Sequence, residues 1–281
     1  MIQDIYPHKL HNEYNPSARV QESSPILNIS NGKVLVHTEQ FDKGIVVFPL
    51  KKELPEELEY TYLFKVDDRE YFLWNEELSE DSIPKGYSYV EERSMRKENK
   101  GPCEEVFAVT TAKHLSDWYR DTCFCGRCGT KMVPHDKERA MSCPSCGYIA
   151  YPRIMPAVIV GVKNGDKILL TKYRTGFAYN ALIAGFTEIG ETAEETVMRE
   201  VMEEAGIKVK NIHYYKSQPW GTANDLLLGF YCEVDGDDTI TMDCHELKYA
   251  EWVQREEIVL QPGNFSLTNE MMRRFKEGYE V

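Results

Sequence analysis

Apolar and polar positions change their period along the chain, and the changes mark out elements. Lys33–Glu39 (KVLVHTE) and Gly44–Leu50 (GIVVFPL) are short apolar runs that predict strands. EYTYLFKV and EYFLWN flank Asp67-Asp68-Arg69 and predict a hairpin. Glu76–Lys100 is polar and charged around Pro84 and Gly86, which predicts a loop. Thr110 or Thr111 is the expected cap of a helix through Ala112–Asp121, with Leu115, Trp118 and Tyr119 on its apolar face. Further on, Ala157–Val162 and Lys167–Tyr173 predict strands joined by a tight turn at Asn164-Gly165. Thr175–Ala181 predicts a loop and ALIAG, ending at Gly185, a strand. Asn211–Lys216, Asp225–Glu233 and Glu246–Val253 predict three more strands. Asn269–Tyr279 predicts a closing amphipathic helix with Met271, Met272, Phe275 and Tyr279 on one side.

One stretch, Gly185–Ile207 (GFTEIGETAEETVMREVMEEAGI), organises the rest. Thr192 followed by Glu195 is a capping-box pattern, and Gly206 supplies the residue that ends the helix. At about 100° per residue, Val197, Val201, Ala205, Met198 and Met202 share an arc expected to face a core. Glu200, Glu203 and Glu204 share another, with Arg199 at its edge. Like-charged neighbours on one helix face cost roughly 0.2–0.5 kcal/mol per pair. A divalent cation relieves that conflict, and hard carboxylate oxygens suit Mg²⁺ or Mn²⁺.

Composition narrows the function. The chain has 281 residues, 42% of them hydrophobic, with a formal net charge of −13. That length suits one large or two modest domains, and the charge argues against broad, sequence-blind nucleic-acid binding. No apolar run is long enough to span a bilayer and the first residues show no secretory pattern, so a cytoplasmic protein without membrane contact is expected. Of eight cysteines, four form two C-x-x-C pairs, Cys125/Cys128 and Cys143/Cys146, separated by fourteen residues. This spacing predicts one structural Zn²⁺ in a closed shell of four thiolates; disulfide pairing is the alternative. Cys123 is a possible competing ligand. Cys103, Cys232 and Cys244 read, like Cys123, as free thiols or small core residues. The expected organisation is an N-terminal β-rich module over residues 1–120, a zinc ribbon over 121–150 and a catalytic domain over 151–281.

The spacing G-x5-E-x7-R-E-U-x-E-E-x-G-U, with U aliphatic, is filled at every fixed position from Gly185 to Ile207. It resembles the signature of the Nudix hydrolases. That resemblance implies the Nudix fold, an α/β (α+β) architecture with a mixed sheet and helices on its faces, and metal-dependent cleavage of a nucleoside-linked diphosphate. The preceding ribbon, FCGRCG, YPRIMPAVIV, REVMEEAGIKVKN and Ser217-Gln218-Pro219-Trp220 resemble the NADH pyrophosphatase (NAD⁺ diphosphatase) subfamily from about residue 110 to the end. The subfamily's SQPWPFPxS reads SQPWGTAND here, so Gly221, Thr222, Ala223 and Asp225 stand where Pro, Phe, Pro and Ser are expected.

Carried over by position, the resemblance implies that the Ala184 carbonyl, Glu200, Glu204 and Glu246 hold the catalytic Mg²⁺ or Mn²⁺. It makes Glu203 a metal ligand or base, with Glu246 the other candidate base, and Arg199 the group that orients the glutamates. Tyr151, Phe186, Gln218 and Trp220 match substrate-contacting positions, and Ser266 or Thr268 a further one. The implied reaction converts NADH or NAD⁺ into NMN(H) and AMP, and extends to the NAD cap of RNA; a homodimer is implied as well. The competing expectations are a Nudix hydrolase of ADP-ribose or a dinucleoside polyphosphate, and a nucleotide sensor without activity.

Overall fold

The computed structural model describes residues 1–97, 100–175 and 179–279. The chain divides into two compact units: residues 3–153 with 221–224, and residues 1–2 with 154–220 and 225–281.

In the first of these, nine strands and three α-helices follow in order among the described residues: β1 (Leu10–His11), β2 (Ile26–Ser30), β3 (Lys33–His37), α1 (Thr38–Asp42), β4 (Thr61–Val66), β5 (Arg69–Trp74), β6 (Tyr87–Glu91), α2 (Glu92–Lys97), α3 (Cys103–Asp121), β7 (Val133–Pro134), β8 (Met141–Ser142) and β9 (Ile149–Ala150). Six strands pair in the order β1-β4-β5-β2-β3-β6, and β7-β8-β9 form a small sheet of their own. Ile26, Leu35, Leu54, Tyr62, Phe72 and Leu78 close one core cluster on the larger sheet. The expected hairpin is present, with Asp67 at φ 52° in its turn.

Three expectations in this unit are corrected. Gly44–Leu50 buries Val46 and Phe48, but builds no ladder beyond the single bridge of Leu50 to Pro25. It gives single bonds instead, Val47 O accepting from His37 N at 2.9 Å and Pro49 O from Ile26 N at 2.8 Å, and Pro49 has no N–H to return. The polar stretch Glu76–Lys100 contains β6, paired along its whole length with β3, and then α2; residues 98–99 lie outside the described residues. Pairing with a neighbouring strand outweighs the local polarity. Helix α3 starts at Cys103, after Pro102, well before Thr110. Thr110 is therefore no cap: its Oγ1 lies 2.9 Å from Val106 O and 3.0 Å from Glu92 Oε1, inside the helix packing.

The other unit contains β10 (Met155–Asn164), β11 (Lys167–Tyr173), β12 (Ile183–Phe186), α4 (Ala193–Ala205), β13 (Val209–Trp220), β14 (Asp225–Val234), β15 (Leu247–Gln254) and α5 (Leu267–Lys276). Its sheet runs β13-β14-β10-β11-β15, with β12 on β10; β10 and β14 are parallel and the remaining pairs antiparallel. Alternation along β10 sorts the two faces. Val158, Val160 and Val162 pack with Val197, Val201 and Ala205 of α4. Ala157 and Ile159 pack with Leu227, Tyr231, and Leu267, Met271, Met272 and Phe275 of α5. Burying each such Val or Leu side chain contributes about 1.5–3 kcal/mol, so a helix is held on either face.

Here Met198 and Met202 depart from expectation. They are 44% and 41% exposed, because each sits one residue, about 100°, beyond a buried valine and falls off the core arc. The strand expected over Asn211–Lys216 extends to Trp220, since Ser217–Trp220 pair with Asp225–Leu228. The last helix begins earlier, at Leu267, where the Ser266 hydroxyl accepts from Asn269 N at 3.1 Å. Tyr279 consequently lies beyond its end, 51% exposed. Residues 176–178 of the expected loop Thr175–Ala181 lie outside the described residues.

Candidate active site and zinc centre

Helix α4 is fixed at both ends as its sequence dictates. Thr192 and Glu195 exchange the reciprocal capping bonds, and Gly206 ends the helix at φ 70°. The side chain that orders its acidic face is Arg199. Its Nε and Nη2 donate to the two carboxylate oxygens of Glu191 at 2.6 and 2.9 Å. Nη1 donates to Glu200 at 2.7 Å and Glu203 at 3.0 Å, and Nη2 also to the Phe186 carbonyl at 2.9 Å. All five guanidinium N–H groups are engaged. This contact holds the Glu191 carboxyl down to about 2, helped by the Glu188 N–H, and raises Arg199 above its usual range. Repulsion between Glu200 and Glu203 is thus relieved within the protein, by Arg199, rather than by a cation alone.

Glu204 is left out of that arrangement. It is 2% exposed, and neither of its carboxylate oxygens has a hydrogen-bond partner of good geometry, although the Ala184 N–H lies close enough to favour its charged form. Burial first, then the nearby Glu246 and Glu200 carboxylates, push it up to about 8. Burial also raises Glu200, against the pull of Arg199. Glu200 lies directly against Gly185: a Cβ there would fall inside its carboxyl group, so only glycine leaves room for it.

Glu246 arrives from elsewhere in the chain. Thr241 N donates to Ala205 O at 2.8 Å and Asp243 N to Glu204 O at 3.0 Å, which caps the end of α4 with the segment leading to Glu246. Arg174 N bonds to Glu246 O at 3.1 Å, and Arg174 Nε to Cys244 O at 2.5 Å. These backbone contacts bring an acidic residue more than forty positions away to the helix carboxylates. Tyr173, which the sequence reading missed, ends β11 beside the same group: burial raises its phenol, followed by Glu204, Glu246 and Glu200. The role of Glu191 as the bidentate partner of Arg199 was also missed, although its place in the spacing was visible.

The remaining candidates are placed differently. Ala184 pairs with Ile159 on β12, and Phe186, two residues on, is 50% exposed. Gln218 is fully buried; its amide donates to Phe265 O and accepts from Leu267 N, each at 2.7 Å, tying β13 to the start of α5. Trp220 packs partly against the α5-side core. Ser266 is committed as the α5 cap and donates to Gln261 Oε1 at 3.0 Å. Tyr151 belongs to the other unit, where its hydroxyl donates to Glu138 Oε2 at 2.8 Å.

The carboxylates have the donor chemistry of a hard divalent cation's ligands, although among the described residues only the four cysteines bring three or more ligand atoms within 4.8 Å of one another. A buried carboxylate with two unpartnered oxygens, a second carboxylate fitted against a glycine, and a third near both supply the oxygen donors that Mg²⁺ or Mn²⁺ takes.

In the other unit the four cysteines of the two C-x-x-C pairs bring their sulfur atoms within 4.8 Å of one another. Cys125 and Cys146 Sγ are 3.7 Å apart, and Cys128 and Cys143 Sγ 3.5 Å. Zn–S bonds of about 2.3 Å in a tetrahedron place sulfurs about 3.8 Å apart, so the shell has the dimensions of a zinc site. Each pair sits in a turn closed by a glycine at positive φ: Gly129 N donates to Cys125 O at 2.8 Å and Gly147 N to Cys143 O at 3.0 Å. Cys103, Cys123, Cys232 and Cys244 are free thiols, Cys232 buried in the core.

Comparison with known proteins matches the same two regions of the chain. The NUDIX domain family matches residues 153–275, and the NADH pyrophosphatase zinc ribbon domain matches residues 120–151. Two curated relatives, each an NAD-capped RNA hydrolase NudC, from Escherichia coli and Escherichia fergusonii, are 44% identical over 151 residues, covering 53% of this chain and 58% of the relative. The chain therefore spans little more than half the length of the curated relatives it matches. Among solved structures, a NUDIX hydrolase from Nitrosomonas europaea is 22% identical, with a TM-score of 0.49, covering 56% of this chain and 92% of that one. The chain thus carries a NUDIX domain, which holds the glutamate helix, preceded by a four-cysteine ribbon that matches the NADH pyrophosphatase zinc ribbon domain.

Proposed function

We propose that the protein is a metal-dependent diphosphatase that cleaves NAD⁺ or NADH into NMN or NMNH and AMP, and that acts on the same bond in the NAD cap of RNA. The observation that carries this reading is the pair of unpartnered Glu204 oxygens, buried beside Glu200 and Glu246. An acidic group in that position is costly unless a cation neutralises it. Glu200, Glu204 and Glu246, with the Ala184 carbonyl, would hold Mg²⁺ or Mn²⁺. The ions supply neutralisation of the diphosphate oxygens and a lower pKa for the attacking water.

The chain's own residues do the rest. Arg199 fixes Glu200 and Glu203 and ties the helix to the Phe186 carbonyl, which holds the β12 end and the acidic face in register. Glu203 is engaged by Arg199, whereas the exposed Glu246 makes no side-chain hydrogen bond among the described residues. Glu203 and Glu246 are the two candidates to accept the proton of the attacking water. Water adds to one phosphorus, the bridging oxygen leaves with the other, and two mononucleotides result. Phe186, half exposed beside the box, offers a face for a base. Tyr151, Gln218 and Trp220 are kept as substrate-contact candidates; the commitments of the Gln218 amide favour an indirect role for it.

A homodimer, placed in the cytoplasm, completes the proposal. Phe124, Val133, Tyr148 and Ile149 leave apolar surface on the ribbon, 38–65% exposed, of the kind a subunit interface covers. No helix among the described residues is long and apolar enough to cross a membrane.

Chromatography of products from separate reactions with NADH, NAD⁺ and ADP-ribose, each with Mg²⁺ or Mn²⁺, tests the reading. NMN or NMNH together with AMP is the expected result. Cleavage confined to ADP-ribose would move the specificity to another nucleoside diphosphate, the reading favoured by GTAND in place of PFPxS. No cleavage of any of the three, nor of NAD-capped RNA, would favour a nucleotide sensor.

A further inference from the structure

Where β10 and β14 end, a chain of net charge −13 gathers three cations around one hollow. Lys210 of β13 pairs with Glu233 of β14, and Glu233 with Lys163 of β10, so the three side chains share one rung of the sheet. Alternation puts that rung on the α5-side face. Lys163 has the parity of Ala157 and Ile159, and Glu233 that of Leu227 and Tyr231, all of which pack with α5. Arg255 follows β15 and is fixed at the same place. Its backbone N donates to Asp166 O at 3.0 Å, its Nη1 donates to the Phe275 carbonyl, and its guanidinium lies 4.3 Å from the centre of the Phe275 ring. These residues, with Tyr279 beyond the end of α5, line a cavity of about 720 Å³.

The cavity is distinct from the glutamate cluster. Ala184 pairs with Ile159, four residues before Lys163, which is about 13 Å along β10. Glu200 and Glu204 belong to α4, whose Val197, Val201 and Ala205 pack on the opposite face of the sheet. The proposed reaction gives the cavity no task.

Its lining selects an anion. Three cations face one carboxylate, and that carboxylate is engaged: Asn211 Nδ2 donates to Glu233 at 2.8 Å. Lys210 meets Asp235 at 3.1 Å, but both side chains are half exposed, and so weak a surface pair yields to a stronger anion. Arg255 stands 3.6 Å from Asp166, whose carboxylate is 84% exposed. A phosphate takes lysine as a point charge and arginine through its planar fork. The cavity is also far larger than one phosphate and has the size of a small-molecule pocket. The Tyr279 ring is half exposed and carries the Arg274 guanidinium at 4.1 Å, which leaves its other face for a flat base.

We propose that this cavity is a second nucleotide site, which binds a nucleoside monophosphate with its phosphate among Lys163, Lys210 and Arg255 and its base on Tyr279. The site needs no divalent ion and does not depend on the diphosphatase reading.

Calorimetry on the full chain, without added Mg²⁺ or Mn²⁺, tests it with AMP, adenosine and inorganic phosphate. AMP is expected to bind more tightly than either of the other two. Lys163→Gln and Lys210→Gln should each weaken AMP about tenfold, the scale of one charge-assisted hydrogen bond. Tyr279→Ala should weaken AMP and leave phosphate unchanged. Glu204→Gln, on the other face, should leave the AMP Kd as it is. Thermal melts of the variants check the fold, and turnover of NADH with Mg²⁺ should be the same in Lys210→Gln as in wild type. No binding of AMP, equal AMP affinity in wild type and both lysine variants, or equal affinity for AMP and phosphate would each overturn the inference. An AMP affinity that responds to Glu204→Gln would also overturn it, by moving the ligand to the glutamate cluster. Absence of NADH turnover in the wild type counts against the proposed function and leaves the AMP titrations to decide this site.

Discussion

Replacing Glu204 by glutamine keeps the side chain's shape and removes the charge that the structure leaves unpartnered. The folded protein holds this carboxyl at about 8 against a reference of 4.5, chiefly through burial. The sign is that of an acid raised by folding: the native state binds the proton more tightly than the unfolded chain does. Its stabilising share is complete below pH 4.5 and is lost as pH rises through 8. A shift of that size corresponds to about 5 kcal/mol between the two limits. The side chain is almost fully buried, so solvent screening leaves most of it. With no Mg²⁺ or Mn²⁺ added, wild-type Tm should fall by roughly 10–20 °C between pH 5 and pH 8.5 relative to Glu204→Gln, taking a few degrees per kcal/mol for a chain of this size. Adding Mn²⁺ at about a hundred times its Kd should return about 2.7 kcal/mol to the wild type and nothing to the variant. Thermal melts in a pH series, with and without Mn²⁺, measure both effects. Parallel pH profiles for wild type and Glu204→Gln, or equal stabilisation of the two by Mn²⁺, would refute the assignment of Glu204 as the unneutralised ligand.

Other consequences follow from the same site. Gly185→Ala forces the Glu200 carboxyl aside; a misplacement of about 1 Å is expected to lower kcat about a hundredfold, with an overpacking cost of about 1–3 kcal/mol visible in denaturant melts. Arg199→Lys keeps the charge but cannot serve Glu191, Glu200, Glu203 and the Phe186 carbonyl together. It should destabilise by about 2–3 kcal/mol and lower kcat more than it raises KM, read from melts and steady-state kinetics. Cys143→Ser opens the thiolate shell, so metal analysis should fall from one zinc per chain to none and the ribbon should become the first segment cleaved by protease.

Much of this was legible because it depends on neighbours in sequence. The Thr192–Glu195 capping box and the αL Gly206 bracket α4 as the chain itself dictates, and two C-x-x-C turns with glycines behind them gather four sulfurs whatever surrounds them. Non-local pairing was less visible. The β6 strand hides in a charged stretch because its partner is β3, more than fifty residues earlier, and GIVVFPL reads as a strand yet makes only scattered single bonds and one isolated bridge, Leu50 to Pro25. Met198 and Met202 fit a broad apolar arc, but the width of the buried stripe is set by the sheet beneath it.

The sequence by itself determined the family spacing, the capped acidic helix and the four-cysteine shell, since these are fixed by residue type and short-range geometry. Only the tertiary structure decided which carboxylates remain unneutralised. Arg199, held by Glu191, satisfies Glu200 and Glu203, while burial against the sheet isolates Glu204 and Asp225 from any counter-charge. Desolvation and partnership depend on what packs around a group in three dimensions, and periodicity along a chain carries no record of either.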